Sequence, residues 1–496
     1  MSEKKPEEKD MSRRRYLGMT GAAVAGLVVG GVLGYVAKPT VTAPPITSTE
    51  TETVTVTGTM APPPVTTAAT PYYKQFSGQT VHAVTHDTAD HRAVRALIAP
   101  EFQTLTGITI DSEMMGDIVL TQKIYTQLST GATGPYDSGM VHMWLLEGYE
   151  RPGWLTNLDP LVNAHPWEGI LDLNDYVPLF ASWCRTSDGK LSGLPFYGHA
   201  GCYMYRKDLA EKWGLTPPKT MDDLLAVTKN AHEMGRKEFG SSFYGISMRG
   251  IRGADNPHMY FGWPWAWGGR VLDADYNVVA NSPECVQAFD YYGKILQSYG
   301  PSGSATFHWP EVQRGIMEGT VFSILEATDM PGSIEDPTAS KTAGKIGYAL
   351  LPNGPANTTP MFSYTTTWPV FAHSPVAEAA LLWSEYATSG YSQKKTVIEG
   401  NFFRTGLTSK SAWTACAAAQ PAKYWMAPVL LQAMEQTTNE YMPKIPEVME
   451  IAGPHGDAVS SIVAGTPAKV ALDKAAKEIY DILTKAGYNI QMKYPV

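Results

Sequence analysis

The chain holds 496 residues, more than one ordinary core accommodates, so two or more compact units are expected. Hydrophobic residues make up 44% and charged residues 18%, which places most of it among globular rather than disordered chains. The formal net charge of -9, with no Lys/Arg cluster beyond the N-terminus, excludes a nucleic-acid or anionic-membrane surface, because neutralising phosphates takes clustered cations.

Residues 1–37 begin polar and then run Ser12-Arg13-Arg14-Arg15-Tyr16-Leu17 into an apolar, glycine-rich stretch ending at Ala37. This has the form of a twin-arginine export signal, and the apolar stretch reaches the ~20 residues that span a bilayer as a helix. The arginines orient it with the remainder of the chain outside. Tyr35 spoils the small-x-small cleavage pattern, which favours an uncleaved anchor over a removed signal. Residues 38–75 are rich in Thr and Pro and cannot bury a core, so they read as an extended stalk. The expected location is the extracellular face of the membrane, tethered.

From Val81 to Thr85 an apolar strand is expected, followed by a loop His86–Asp90 and a helix carrying Val94, Leu97 and Ile98. Gly107 ends that helix and Ile108–Ile110 starts a second strand. A helix from Ile118 to Leu128 and a strand from Asp137 to Met143 complete a βαβ pattern, which implies a parallel sheet with ligands bound at its carboxyl edge. Ser187-Asp188-Gly189-Lys190 reads as a hairpin turn. It leads into Gly193–Thr220, where Cys202-Tyr203-Met204-Tyr205 alternate as a half-buried strand. Asp208 with Glu211 predicts a capped short helix closed by Gly214, and Thr220 with Asp223 caps a second carrying Leu224, Val227, Ala231 and Met234. The order strand, short helix, proline break, helix suits a place where the chain passes from one lobe to another.

Cys184, Cys202, Cys285 and Cys416 show none of the spacing of a zinc or redox site, so neither metal nor cofactor follows from them. Cys184 and Cys202, the nearest pair in sequence, are candidates for a disulfide, which geometry decides. Asn357-Thr358-Thr359 is a glycosylation acceptor pattern.

Several segments, WLTNLDPLV, DGKLSGLPFYG, MYRKDLAEKWGLTPPKT, WAWGGRVLDADYNVVANSPE, KIGYALLPNGP and ALDKAAKEIYDIL, occur in the order found in family 1 extracellular solute-binding proteins, the sugar-capturing subunits of ABC importers. The similarity runs from about Val81 to Gly487, and YGISMRG with LEATD looks most like the branch that takes up sugars and sugar alcohols. The resemblance implies an α/β, two-lobed periplasmic-binding-protein-like fold with a multi-strand hinge and a ligand cleft between lobes. The first lobe would comprise 76–196 with 348–399, and the second 197–347 with 400–496. Crossings are expected near Leu194–Gly198, Lys345–Leu351 and Gly400, with the helix Val376–Thr388 packed on the first lobe. The implied partners are a carbohydrate or polyol and the ABC permease subunits in the membrane, with the chain itself a monomer.

A sugar needs planar polar groups that make paired hydrogen bonds and aromatic faces to stack on. Asp87 and Asp90 lie in the loop after the first strand, with helix capping as the alternative role. Trp144 and Tyr197 are similar to family aromatic contacts, against core packing. Of Trp263, Trp265 and Trp267, one is expected to face ligand, and Trp267 is chosen. Glu326, Thr328 and Asp329 stand where the family commonly carries a tryptophan that this chain lacks, which favours Glu326. Tyr364 and Arg404 match cleft positions on the return crossings, with a structural ion pair as the other role of Arg404.

Two rival readings remain. A glycosidase would use a carboxylate pair, but no motif orders two carboxylates here. Uptake of a metal would rest on His82, His86, His91 and His142, whose spacing fits no standard ligand pattern.

Overall fold

The computed structural model describes residues 71–496 apart from 132–133, 168 and 401–402; the export signal and most of the stalk expected above lie outside the described residues. Two strands open the chain, β1 (Thr80–His86) and β2 (Thr109–Met115), paired in parallel from Thr80 opposite Thr109 to His86 opposite Met115. Val81 and Val84 are fully buried on β1, as its apolar run requires. Gly107, at φ 77°, ends the intervening helix in the left-handed region where a Cβ is unfavourable.

The strand expected at Asp137–Met143 is two short ones. β3 (Ser138–Gly139) joins β1 in parallel, while β4 (Val141–His142) leaves that sheet and pairs antiparallel with a later strand. A 3-10 turn, Met143–Leu145, follows directly.

β5 (Leu194–Arg206) is the long strand of the molecule, and it lies where the alternation of Gly193–Thr220 predicted one. The remaining strands are β6 (Tyr244–Ser247), β7 (Val321–Ala327), β8 (Ile346–Ala349) and β9 (Ser363–Trp368). The first half of β5 pairs antiparallel with β9, from Leu194 opposite Trp368 to Ala200 opposite Ser363, with an irregularity between Pro195 and Tyr197. Its second half pairs antiparallel with β7 and β8. β6 extends this sheet in parallel beside β7.

Two main hydrophobic cores flank this crossing. Leu194 and Phe196 sit in the first, with β1, Trp368, Val370 and the helix Ala377–Thr388, buried from Ala379 onward. Tyr203 and Met204 sit in the second, with the helices Pro283–Tyr299, Val448–Val463 and Ala468–Ala486. The chain is therefore a two-lobed α/β molecule whose lobes share β5 and β9. The expected second crossing at Lys345–Leu351 is displaced: Ile346, Tyr348, Leu351, Met361 and Phe362 all belong to the second core, and β9 makes the return. Both β8 and β9 are short and almost wholly buried, and such a strand's own sequence does not say which neighbour it takes.

Local signals fared unevenly. Thr220 and Asp223 form the predicted capping box on the helix Met221–Phe239, of which Leu224 and Ala231 are buried and Met234 is exposed. Asp208 caps nothing; the helix Lys207–Trp213 begins without a side-chain cap, and Asp208 instead accepts both Nε and Nη2 of Arg206, at 2.8 and 2.6 Å. All four cysteines are buried free thiols, with Cys184 in the first core and Cys202 in the second, so the candidate disulfide is not formed. At the N-terminal end of the described chain the Tyr72 ring stacks on His165 at 3.7 Å and Tyr73 on Trp167 at 5.1 Å, fastening this end to the first lobe.

Candidate functional site

On β5 residues two apart share a face, so Tyr197 and His199 project together. On β9 Tyr364 lies directly opposite His199, and the two rings stack at 5.1 Å. β4 runs along the other edge of β9 and brings in His142, whose Nδ1 is 2.6 Å from the Tyr364 hydroxyl and whose Nε2 is 2.8 Å from Asp117. The 3-10 turn after β4 then delivers Trp144. Its indole lies between two imidazoles, stacked on His142 at 4.9 Å and on His258 of the second lobe at 5.7 Å. Rings from both lobes thus meet at the hinge strands.

Polar groups surround these rings. The Tyr197 hydroxyl donates to Asp329 Oδ2, and Thr405 donates to the Asp329 carbonyl at 2.8 Å. Arg404 reaches from the third crossing to the Phe196 carbonyl at 2.7 Å and lies 2.7 Å from Asp90 Oδ1. Arg249 forks Glu326 with two bonds of 2.7 Å and also donates to Asn256.

Several buried atoms at this junction have no hydrogen-bond partner: both ring nitrogens of His199, Nδ1 of His258, Oδ1 of Asp329 and Nη1 of Arg404. Such atoms cost roughly 1–3 kcal/mol each when they are left unsatisfied. Burial pushes the His199 imidazole down to about 4 and, aided by Arg249, the His258 imidazole well below its usual value. Neutral rings each offer one donor and one acceptor, which is the need of a hydroxyl group. Burial, then the charges of Asp329 and Asp90, hold the Tyr197 phenol protonated as a donor.

Of the residues singled out from sequence, Trp144, Tyr197, Asp329 and Tyr364 come together at the junction, with Asp90 and Arg404 paired behind them. The other four are engaged elsewhere. Asp87 is exposed and bonded to Arg92 at 2.6 Å, one helical turn away. Trp267 is core, packed on Trp263 and Tyr291. Glu326 is fully buried and occupied by Arg249, and Thr328 Oγ1 accepts the Ala200 amide at 3.0 Å, tying the end of β7 to β5. Residues that sequence reasoning missed are His199, His258, Asp117, Asp255 and Arg249; only His199 carried a signal, two positions past Tyr197 on an alternating strand.

The histidines of the metal reading take other roles. His82 pairs with Asp111 across β1 and β2, His91 packs on Phe196, and His142 serves Tyr364 and Asp117; the charges of Asp117 and His142 also act on His86. Among the described residues no three His, Cys, Asp or Glu side chains converge as metal ligands.

The family model described as bacterial extracellular solute-binding protein matches residues 85–390. A relative named erythritol/L-threitol-binding protein, from Mycolicibacterium smegmatis, is 24% identical over 345 residues, 66% of this chain and 70% of its own length. A mannitol-binding protein from Pseudomonas aeruginosa is 27% identical over 272 residues, 55% of this chain and 60% of that one. Among solved structures, an ABC transporter solute-binding protein of Agrobacterium vitis with bound D-mannitol superposes with a TM-score of 0.70 at 24% identity, covering 83% of this chain and 100% of that one. Maltose-bound MalE3 of T. maritima gives 0.67 at 20% identity, covering 82% and 100%. The match over most of the described chain, on the same two-lobed fold, shows that this chain belongs to the bacterial extracellular solute-binding protein family.

Proposed function

We propose that this chain is the substrate-binding subunit of an ABC importer and captures a sugar or sugar alcohol between its lobes, without turnover. The observation that carries this reading is the group of buried, unpartnered polar atoms of His199, His258, Asp329 and Arg404 beside the stacked rings of Trp144 and Tyr364, where the two lobes meet. Relatives and structural neighbours named for mannitol, erythritol and ribitol support a polyhydroxylated ligand.

Capture follows from the geometry. Tyr197, Tyr364 and Trp144 belong to the hinge strands and the first lobe, while His258 and Asp329 come from the second, so a ligand completes its bonds only when both lobes reach it. It then favours the closed state by its differential affinity; inverting a 1:99 balance takes about 5.5 kcal/mol. The closed form is what the permease receives. The N-terminal segment, on its arginines and apolar run, exports and tethers the domain; cell fractionation of a variant with Arg14→Lys and Arg15→Lys, expected to stay in the cytoplasm, checks this. Among the described residues no helix is long and apolar enough to cross a membrane.

The test is a thermal-shift screen over erythritol, ribitol, mannitol, tagatose and maltose. At least one is expected to raise the Tm, as binding to the native state alone must. The rise should vanish in Trp144→Ala, which removes the ring between His142 and His258. A screen in which metal salts shift the Tm and no carbohydrate does would end the reading.

A further inference from the structure

The charges at the lobe junction do not cancel. Glu326 is neutralised by Arg249 and Asp90 by Arg404. Three further carboxylates, Asp117, Asp255 and Asp329, have no Lys or Arg salt bridge among the described residues. Asp117 faces His142, whose Nε2 lies 2.8 Å from the carboxylate and whose Nδ1 lies 2.6 Å from the Tyr364 hydroxyl. Asp255, in the second lobe, has an exposed side chain, and desolvation followed by the charge of Asp117 raises its carboxyl. Asp329 spends Oδ2 on Tyr197, while its buried Oδ1 has no hydrogen bond and lies 3.5 Å from His199 Nδ1.

The histidines do not make up the difference. His199 is 7% exposed with both ring nitrogens unpartnered, and burial drives it down to about 4; burial, then Arg249, hold His258 well below its usual value. At neutral pH these rings carry no charge. Closing two lobes over an excess of carboxylate is opposed by like-charge repulsion and by desolvation, and a neutral ligand relieves neither. A cation relieves both.

We propose that the cleft selects a sugar or sugar alcohol bearing a basic amine and no acidic group, with the ammonium received at Asp329 Oδ1 and the hydroxyls at His199 and His258. This rests on the reading of the junction as a carbohydrate site and specifies the ligand class within it. Sugar acids and sugar phosphates are excluded by the same charge excess.

The test is titration calorimetry of the full chain at pH 7 with matched ligands: D-glucitol against 1-amino-1-deoxy-D-glucitol, and D-glucose against D-glucosamine and D-glucuronate. The amine of at least one pair is expected to bind at least about tenfold tighter than its neutral parent, with the advantage shrinking as salt is raised. Glucuronate should give no heat of binding. Asp329→Asn, which keeps the shape and the Tyr197 contact, should reduce the advantage to less than about twofold; Asp255→Asn, at an exposed position where folding is not at stake, should reduce it in part. Neutral parents binding as tightly as the amines, or binding of glucuronate, would overturn the proposal while leaving the carbohydrate reading standing. Absence of binding by every one of these ligands, together with a blank carbohydrate thermal screen, would remove both.

Discussion

Glu326 and Arg249 illustrate how a residue with a site-like sequence context becomes structural. Both are buried, and the guanidinium forks the carboxylate with two bonds of 2.7 Å while also lying over the Phe362 ring at 5.4 Å. Removing one member of such a pair strands the other's charge in the interior, which typically costs about 3–5 kcal/mol. Glu326→Ala is therefore expected to lower the unfolding free energy by that order in a urea titration, with any loss of ligand affinity following from the disturbed Arg249 rather than from a lost contact. An unchanged midpoint with abolished binding would instead make Glu326 a ligand contact. The sequence showed the acidic residue at the end of an apolar strand and the arginine in YGISMRG, but nothing local joins positions 77 apart in the chain. Tyr197 and Tyr364 were reached through the family resemblance; His258 and Asp255 were not, since they sit in and before a four-residue helix, Pro257–Tyr260, too short for periodicity to set a direction.

At the scale of elements, close approach around β5 does as much as its pairing. A Cβ on Gly406 would stand 2.2 Å from the Tyr197 ring, and one on Gly198 would stand 2.6 Å from Phe180. The third crossing therefore presses its backbone against the phenol that serves Asp329. Gly406→Ala is expected to push Tyr197 off that carboxylate, costing about 1–3 kcal/mol of stability by overpacking and weakening ligand binding in calorimetry. Recovery of the affinity in Gly406→Ala combined with Tyr197→Phe would show that the ring has no polar role. The hinge strand itself was visible from its alternation. Its partners were not: β8 and β9 are both short and buried, and only the burial of Tyr348 and Leu351 in the second core shows that the chain returns by β9. Similarly, Thr220 kept its capping box while Asp208 was drawn away by Arg206, because a charged neighbour outcompetes a backbone amide for a carboxylate.

Over the whole molecule, buried titratable groups away from the cleft set how stability depends on pH. Burial lifts Glu385, on the helix Ala377–Thr388 and without a hydrogen bond on either oxygen, to about 8, and it drives His455 and His91 down to about 3. A carboxyl with a raised folded value stabilises fully below its unfolded value of 4.5, and that contribution is lost as the pH climbs towards 8. The histidines act at the other end: they are neutral when folded, so stability falls as the pH drops below their unfolded value of 6.5 towards 3. Glu385→Gln should leave the unfolding free energy from urea titration nearly unchanged at pH 4 and raise it at pH 8, by a few kcal/mol at about 1.4 kcal/mol per pH unit. An equal effect at both pH values would mean that the carboxyl ionises freely in the fold.

The stacking of Tyr72 on His165 and of Tyr73 on Trp167 seats the N-terminal end of the described chain on the first lobe. Whatever precedes residue 71 enters through the first lobe, so a membrane-held N-terminus would grip that lobe and leave the second, carrying His258, Asp329 and the C-terminal helices, as the arm that swings. A docking permease would then meet one stationary surface and one whose arrival reports the cargo.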